Sequence, residues 1–455
     1  MTDALDELFS DRQLKRDPDT LAQWGRDWTR SFTVAPAAVV FVESVADVQN
    51  LVKLARQEGF ALVPSGGRTG LSGGAVAGNG EVVVSFDRMN RVLEFDAADR
   101  LVTCQAGVVT QALQEFADSQ GLSYPVDFAS SGSSQIGGNI ATNAGGIKVI
   151  RYGLTRDWVA GLKVVTGSGE VLELNHGLVK NATGYDLRHL FIGSEGTLGF
   201  IVEAQIRLAP APAPQRVMVL GVPVFADILK VLAEFNAALR PSAFEFFSEM
   251  ALTKVRAHRD LPRPLSEAVP FYALIEFDET ELAAAEQVFE RTVAAGWVVD
   301  GVLSQSVAQA EALWQLREGI SESISGYTPY KNDLSVRVSL MPQFIDDIDA
   351  LVRDSYPDFE VCWYGHIGDG NLHLNILKPD QLSGAEFYER CHTISPKIFE
   401  QVLARDGSIS AEHGVGLLKK DFLSYSRSTP EIDLMHQLKG VFDPDGIMNP
   451  GKLLP

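Results

Sequence analysis

The sequence is poor in cysteine, has a deficit of positive charge and contains no long apolar run. Its three cysteines, Cys104, Cys362 and Cys391, include no CxxC pair, so neither a disulfide framework nor a dithiol redox site is expected. Lys and Arg number 39 against 59 Asp and Glu, and the net charge of -20 argues against binding to the nucleic-acid backbone. No run of about 18 apolar residues is present, so we expect no transmembrane helix. The first residues lack the apolar core of a secretory signal, which predicts a cytoplasmic protein.

What the chain does have is length and an ordinary apolar content. With 455 residues, 45% of them hydrophobic, it is too long for one compact core, so at least two lobes are expected. Segments typical of strands and helices alternate in the first third of the chain. One helix is predicted from the spacing of Val48, Leu51, Val52 and Ala55. A Pro/Ala-rich stretch at 209–215 is the best candidate for a linker, and a second pattern of strands and helices follows it.

Three glycine-dense segments stand out in the first part of the chain. They are PSGGRTGLSGGAV (64–76), IGGNIATNAGG (136–146) and KNATGYDLRHLFIGSEGTLGFI (180–201). Closely spaced glycines let several backbone N–H groups converge on an anion such as a diphosphate. The spacing is neither G-x-G-x-x-G nor a P-loop, so neither the usual NAD site nor an NTPase is indicated. An ordinary surface loop remains an alternative for the first segment alone, but three such segments indicate a long, flat ligand.

A second group of residues is typical of a catalytic metal site. His366 and His373 lie in WYGHIGDGNLHLNIL, which reads as strand, turn and strand and can bring both imidazoles together. Downstream, SISAEHGVG supplies Glu412 and His413. Two histidines and one carboxylate with open positions form a Zn²⁺-type site. If this segment is an extended strand, the adjacent Glu412 and His413 point to opposite faces. Taken singly, each histidine could equally be a core or surface residue.

The motifs PSGGRTGLSGG, GGNIATNAGG, KNATGYDLRHLFIGSEGTLG and MNPGK together resemble one family over essentially the whole chain. They are similar to the FAD-linked D-2-hydroxy acid dehydrogenases of the vanillyl-alcohol-oxidase and p-cresol-methylhydroxylase superfamily. The resemblance implies a two-lobed α+β fold with a FAD-binding domain at 1–212. It also implies an α+β substrate or cap domain at 213–423, with an antiparallel sheet and the metal site. Residues 424–455 are then expected to return to the FAD-binding domain.

The same resemblance implies which residues contact FAD. No histidine lies in 64–76, so we expect the FAD to be non-covalent. The implied cofactor-binding residues are Pro64, Ser65, Gly66, Gly67, Arg68, Thr69, Gly70, Leu71, Ser72, Gly73, Gly132, Ser133, Gly137, Gly138, Asn139, Thr142, Asn143, Gly145, Gly146, Gly196, Ile201 and Asn449.

The resemblance further implies a metal-assisted oxidation. His366, His373 and Glu412 would hold Zn²⁺, or another divalent metal such as Mn²⁺, and His413 would be the general base. Arg317 and Lys331 would then bind the carboxylates of the substrate, and Asn375 would lie beside the metal. The favoured reaction converts D-2-hydroxyglutarate to 2-oxoglutarate by hydride transfer to flavin N5, with D-malate as a second substrate. Electrons would pass to an electron-transferring flavoprotein or a quinone, and a homodimer is possible.

Other functions remain open at this point. D-lactate or glycolate is the alternative substrate within the same family, although a single carboxylate would need fewer cations than the two that are expected at the site. A zinc hydrolase would use the same histidines and glutamate around an activated water, but it would not need three glycine-dense segments. A non-catalytic FAD-binding subunit of a glycolate-oxidase-like complex could lose His366, His373 and Glu412, whereas this chain keeps them.

Overall fold

A computed structural model describes residues 2–29 and 31–455 and divides the chain into two compact units. Unit 1 contains the chain up to Gly146, then Gly153–Ala211 and Glu412–Pro455, and unit 2 contains Ile147–Tyr152 and Pro212–Ala411. Among the described residues, no helix is long and apolar enough to cross a membrane. The three cysteines are buried and unpaired, as the sequence predicts.

The described residues of unit 1 form eleven strands in three sheets. Its strands are β1 (Leu14–Lys15), β2 (Ala38–Phe41), β3 (Leu62–Ser65), β4 (Val82–Ser85), β5 (Val92–Asp96), β6 (Leu101–Gln105), β7 (Leu122–Ser123), β8 (Val159–Thr166), β9 (Val171–Leu174), β10 (Gly199–Arg207) and β11 (Ala209–Pro210). Their orders are β1-β2-β4-β3, β5-β6-β10-β8-β9 and β11-β7. Strand β4 pairs in parallel with β2 and β3, whereas the five-stranded sheet is antiparallel throughout.

The helices of unit 1 include one, Val45–Glu58, whose sequence shows clearly why it forms. They are Thr2–Leu8, Pro18–Trp24, Val45–Glu58, Thr110–Ser119, Ile136–Thr142, Thr155–Trp158, Arg188–Phe191 and Thr429–Phe442, with a 3-10 helix at Lys420–Tyr425. In Val45–Glu58, the Ser44 side chain accepts the Asp47 N–H, a cap that stabilises a helix by about 1 kcal/mol. Gly59 ends this helix in the left-handed region, at a φ of 72°. The predicted face of Val48, Leu51, Val52 and Ala55 is confirmed, because all four are buried.

Unit 2 is built on one antiparallel sheet of seven strands, in the order β15-β12-β14-β13-β17-β18-β16. Its strands are β12 (Gln215–Val222), β13 (Ala243–Ser248), β14 (Phe271–Asp278), β15 (Asp300–Leu303), β16 (Tyr330–Ser335), β17 (Val361–His366) and β18 (Asn371–Ile376). Its helices are Val149–Tyr152, Phe225–Ala238, Glu249–His258, Leu282–Ala294, Val307–Glu318, Ile320–Ser323, Met341–Ser355 and Gly384–Leu403, with 3-10 helices at Glu279–Glu281, Ser325–Tyr327 and Val338–Leu340. The expected α+β fold with an antiparallel sheet in the second domain is therefore confirmed.

The bounds of the units differ from the expected domains at residues 147–152, at Pro212 and at residues 412–423. Residues 412–423 belong to unit 1, because the Leu417 and Leu418 N–H groups donate to the Ser72 carbonyl. Residues 147–152 belong to unit 2, where Arg151 makes a two-bond ion pair with Asp278 at 2.8 Å. Both assignments arise from contacts between residues far apart in sequence.

Candidate flavin and metal sites

Unit 1 contains a cavity between its glycine-dense segments. Predicted FAD residues that line it are Pro64, Gly66, Gly67, Arg68, Thr69, Gly70, Ser72, Gly137, Gly138, Asn139, Thr142, Gly196 and Ile201. The lining residues outside the predicted set are Asp27, Gly74, Ala75, Phe86, Ala106, Gln135, Ala141, Glu195, Gly199 and Phe200, and six of them lie within the three glycine-dense segments. Backbone-rich walls from three separate segments suit a long ligand that carries a diphosphate.

The other predicted FAD residues are not part of the lining of this cavity. They are Ser65, Leu71, Gly73, Gly132, Ser133, Asn143, Gly145, Gly146 and Asn449. Some of them brace lining residues. The Asn449 amide donates to the carbonyl oxygens of Gly74 at 2.9 Å and Glu195 at 2.7 Å, and the Gly73 N–H donates to Asp27 at 2.7 Å.

Close backbone approach explains two of the lining glycines. A Cβ at Gly67 would lie 2.1 Å from the Ser133 carbonyl oxygen, and one at Gly137 would lie 2.7 Å from the Ala106 Cβ. Neither position can carry a side chain unless the backbone moves. The cavity therefore depends on glycine for its shape, which fits a ligand held against bare backbone.

Two buried carboxyl groups lie in the cavity wall, and burial raises the pKa of both Asp27 and Glu195. Glu195 accepts the Val415 N–H at 2.7 Å and the Gly416 N–H at 2.8 Å. These bonds fasten the segment that directly follows Glu412 and His413. The Glu412 carboxylate itself accepts the Gly146 N–H at 3.0 Å.

The segment that carries Glu412 and His413 is not the extended strand that the sequence suggested. Ser408 and Ser410 form isolated bridges, after which residues 411–413 form a bend. The alternation of strand side chains therefore does not decide where these two side chains point. Hydrogen bonds on both sides hold the bend instead. The Glu412 carboxylate accepts the Gly146 N–H, and the Glu195 carboxylate accepts the N–H groups of Val415 and Gly416.

The buried carboxyl of Glu195 leads to a prediction about pH. Because its pKa is raised, its contribution to stability is largest below the ordinary Glu pKa of about 4.3 and is lost as the pH rises through the raised value. Glu195→Gln removes this dependence, and at every pH it loses one of the two oxygens that accept N–H groups. At about pH 5 the variant should therefore have a lower free energy of unfolding than the wild type. The wild type alone loses stability through Glu195 as the pH rises, so the two free energies should be closer at about pH 8.

This prediction can be checked by urea unfolding of the FAD-free proteins at both pH values. Contributions of other groups cancel in the difference between variant and wild type. If the free energies of unfolding of variant and wild type instead move further apart as the pH rises, the prediction is wrong. The hydrogen bonds to Glu195 would then affect its pKa more than burial does, and the pKa would be lowered.

In unit 2, the register of four strands gathers polar side chains on one face of the sheet. Glu245 of β13 lies opposite His366 of β17, and Tyr364 of β17 lies opposite His373 of β18. On the other side of β18, Asp333 of β16 lies opposite His373, and Lys331 lies opposite Asn375. Because paired residues point to the same face and residues two apart share a face, all of these side chains project together.

The two histidines of this face are placed as a pair of metal ligands would be. Their Nε2 atoms are 3.4 Å apart, and both side chains are at least nine-tenths buried. Two nitrogens that each bind one Zn²⁺ at about 2.1 Å with a tetrahedral angle are themselves about 3.4 Å apart.

Carboxylates back both rings. The His366 Nδ1 lies 2.7 Å from Glu245 Oε1, and the His373 Nδ1 lies 3.6 Å from Asp333 Oδ1. A carboxylate at Nδ1 is the usual outer partner of a metal-binding histidine, because it fixes the tautomer and the orientation of the ring.

Positive charge lies on the same face. Arg317, from the helix Val307–Glu318, is 5% exposed, and its Nη2 lies 2.7 Å from Glu245 Oε2. Lys331 is an exposed residue, but its ammonium donates to the Ser321 hydroxyl at 2.9 Å, and partial desolvation there lowers the pKa of Lys331. Asn375 is buried and donates to the carbonyl oxygen of His373 at 3.3 Å. Unit 2 therefore brings together His366, His373, Arg317, Lys331 and Asn375, whereas Glu412 and His413 belong to unit 1.

Four further residues of this face were missed by the sequence analysis. They are Glu245, Asp333, Ser321 and Tyr364, whose ring lies 4.8 Å from that of His373. Nearby, burial raises the pKa of Asp369 to about 6. Glu245 left one signal in the sequence, since it is the single charged residue in the apolar strand AFEFFS.

Two family profiles match the chain. The profile "FAD linked oxidases, C-terminal domain" matches residues 211–453, and the profile "FAD binding domain" matches residues 36–175. The first range contains the polar face of the seven-stranded sheet, and the second contains most of the residues that line the cavity, though not Asp27 or the lining residues from Glu195 to Ile201. FAD is therefore the cofactor of this chain, as the sequence predicts.

Curated relatives and solved structures agree with these profiles. The D-2-hydroxyglutarate dehydrogenase of Stutzerimonas stutzeri (strain A1501) is 59% identical, over 100% of this chain and 98% of that protein. The mitochondrial D-2-hydroxyglutarate dehydrogenase of Bos taurus is 39% identical, over 96% of this chain and 80% of that protein.

Among solved structures, p-cresol methylhydroxylase has a TM-score of 0.77 at 14% identity, over 98% of this chain and 95% of that one. The 4-ethylphenol oxidase of Gulosibacter chungangensis has a TM-score of 0.76 at 16% identity, over 99% of this chain and 95% of that one. Both likenesses concern the fold alone. The chain thus belongs to the FAD-linked oxidase family, as a FAD-dependent enzyme of the group named D-2-hydroxyglutarate dehydrogenase.

Proposed function

We propose that the protein oxidises D-2-hydroxyglutarate to 2-oxoglutarate with FAD and a divalent metal. The observation that carries the proposal is the histidine pair of unit 2, with Nε2 atoms 3.4 Å apart and a carboxylate at each Nδ1. The substrate follows from the names of relatives that are up to 59% identical. D-malate is a second substrate in this proposal.

The metal ligands that we propose are His366, His373 and Glu412, and Zn²⁺ is the metal that this donor set suits. Glu412 directly follows Ala411, whose N–H donates to the Asp333 carbonyl in unit 2. A bound Zn²⁺ supplies a Lewis acid that lowers the pKa of a hydroxyl group. His413 is proposed to take the proton of the C2 hydroxyl on its imidazole, which titrates near neutral pH.

Two cations on one face suit a substrate with two carboxylates. Arg317 and Lys331 are proposed to bind these carboxylates and to orient C2, with Asn375 beside the metal. Lys331 and Arg317 reach the face from different elements, so each can hold a separate carboxylate. D-lactate and glycolate have one carboxylate and would leave one cation unused.

When bound, FAD would supply the acceptor, at flavin N5, for the hydride that we propose leaves C2. We propose that it is held without a covalent bond, since no histidine lies in residues 64–76. The reduced cofactor would pass its electrons to an electron-transferring flavoprotein or a quinone. The unpaired cysteines support a reducing compartment such as the cytoplasm.

The proposed function is tested by removing the metal. Purified protein with an artificial electron acceptor should convert D-2-hydroxyglutarate to 2-oxoglutarate. Treatment with EDTA should remove this activity, and added Zn²⁺ should restore it while the visible flavin band stays constant. Mg²⁺, which prefers oxygen ligands, is the matched control and should not restore activity. Full turnover by protein that is verified to be free of metal would contradict the proposal.

A further inference from the structure

Glu245, like Asp333, is almost completely buried on the polar face, and its two oxygens contact two different side chains. The side chain is 1% exposed. Its Oε1 lies 2.7 Å from the Nδ1 of His366, and its Oε2 lies 2.7 Å from the Nη2 of Arg317. One carboxylate thus connects a proposed metal ligand with a proposed substrate-binding cation.

The remaining contacts close a ring of five side chains. The His366 Nε2 faces that of His373, the His373 ring lies 4.8 Å from the Tyr364 ring, and the Arg317 guanidinium lies 4.7 Å from the centre of the Tyr364 ring. All of these residues are buried. A charge inside such a ring is costly unless it is paired, and Glu245 is the carboxylate that pairs with Arg317.

Each contact of Glu245 has a chemical consequence. A carboxylate accepts a hydrogen bond, so the His366 proton lies on Nδ1 and Nε2 carries the lone pair that would bind a metal. The guanidinium is held at one end by the charge of Glu245, a contact of 2.7 Å without the geometry of a hydrogen bond, and neither Nε nor Nη2 of Arg317 makes a hydrogen bond within the described residues. These buried donors are suited to an anionic ligand.

We propose that Glu245 is a positioning residue that couples the metal ligand His366 to the substrate-binding Arg317. The inference rests on the proposed function and deepens it. Any change at Glu245 alters both partners together. Loss of the carboxylate weakens metal binding even when no substrate is present, and it raises the KM for a dicarboxylate.

Glu245→Gln is the variant that tests the coupling. The glutamine amide has one acceptor and one donor group, so it cannot accept from both partners. If its NH₂ faces Arg317, two donor groups oppose each other. If its NH₂ faces His366 Nδ1, that nitrogen must accept, and the histidine proton moves to Nε2. Outer partners of metal ligands typically contribute 10- to 100-fold to affinity, so the dissociation constant for Zn²⁺ should rise by about this factor. It is measured by chelator competition on the FAD-loaded protein, with the visible spectrum of bound Co²⁺ as a second readout.

The control is Glu276→Gln. Glu276 is also a buried glutamate of the seven-stranded sheet, but it accepts hydrogen bonds from Ser242 and Trp314, and its register partner on β13 is Ala243. The control should bind Zn²⁺ as the wild type does. The double variant Glu245→Gln with Arg317→Met should regain metal affinity. Without the guanidinium, the NH₂ group of the glutamine faces no cation, and the amide oxygen can accept a hydrogen bond from the Nδ1–H of His366.

The outcomes separate the inference from the proposed function. Wild-type affinity in Glu245→Gln, an equal loss in Glu276→Gln, or no recovery in the double variant would overturn the coupling. If Glu245→Gln does not fold, Glu245→Asp replaces it, because a carboxylate that is shorter by one methylene cannot reach both partners and the same loss is expected. A wild-type protein that binds no metal would instead contradict the proposed function itself.

Discussion

Alanine in place of His366 or His373 is expected to abolish turnover of D-2-hydroxyglutarate while FAD remains bound. Each substitution removes one of two Nε2 atoms that lie 3.4 Å apart, and a site with one imidazole fewer holds Zn²⁺ weakly. A Lewis acid contributes several kcal/mol to the stabilisation of developing charge, so kcat should fall on the order of 10³-fold or more. The cavity that fits FAD is lined entirely by residues of unit 1, so its occupancy should not change.

The measurement compares steady-state turnover with the visible flavin spectrum of each purified variant. His436→Ala is the matched control, because His436 is exposed on the helix Thr429–Phe442 and lines neither site. The control should retain both activity and FAD. A folded His373→Ala protein that has lost its flavin would contradict the assignment of the two histidines to a site separate from FAD.

Gly67→Ala has the second large effect, which is loss of FAD. The added Cβ would lie 2.1 Å from the Ser133 carbonyl oxygen and 2.7 Å from the Ser134 Cα. Neither is the flexible end of a side chain, so the glycine segment itself must move. Overpacking of this kind typically costs 1–3 kcal/mol, and we expect the dissociation constant for FAD to rise about 10- to 100-fold.

FAD affinity can be measured by flavin fluorescence as the cofactor is added to the FAD-free protein. Gly440→Ala is the matched control, because a Cβ there meets no atom within 4 Å. This control should bind FAD normally and gain up to about 1 kcal/mol of stability from the better helix former. Unchanged FAD affinity in Gly67→Ala would show that the cavity does not depend on this close approach.

Regular elements with a clear periodicity could be predicted from the sequence. The helix Val45–Glu58 and the strands β2, β4, β10, β12 and β14 follow from apolar spacing, and the strand–turn–strand reading of β17 and β18 is confirmed. In each case, local spacing and the tertiary core demand the same conformation. Strand β6 and the helix Ile136–Thr142 were not predicted. In the helix, Gly137 and Gly138 conceal the helical pattern, because glycine is a poor helix former and offers no apolar side chain.

The ligand and charged residues of the candidate site could be predicted from the sequence, but the contacts between them could not. The histidines, Arg317 and Lys331 carry charge or ligand atoms in conspicuous motifs, so residue type alone pointed to them. Glu245 and Asp333 lie 121 and 40 positions before their histidine partners, and only the register of the sheet brings them together. The bend at Glu412 likewise depends on Glu195, which lies 217 positions earlier in the chain, so no local pattern could reveal it.

The most direct test of the account is anaerobic reduction of the bound flavin by single substrates. Purified protein is mixed with D-2-hydroxyglutarate, L-2-hydroxyglutarate, D-malate, D-lactate or glycolate, and the visible flavin band is followed. The account predicts rapid bleaching by D-2-hydroxyglutarate, weaker bleaching by D-malate and none by the L-enantiomer. Bleaching by D-lactate or glycolate but not by D-2-hydroxyglutarate would contradict the proposed dicarboxylate substrate. A flavin that none of these acids reduces would contradict the 2-hydroxy acid dehydrogenase function itself.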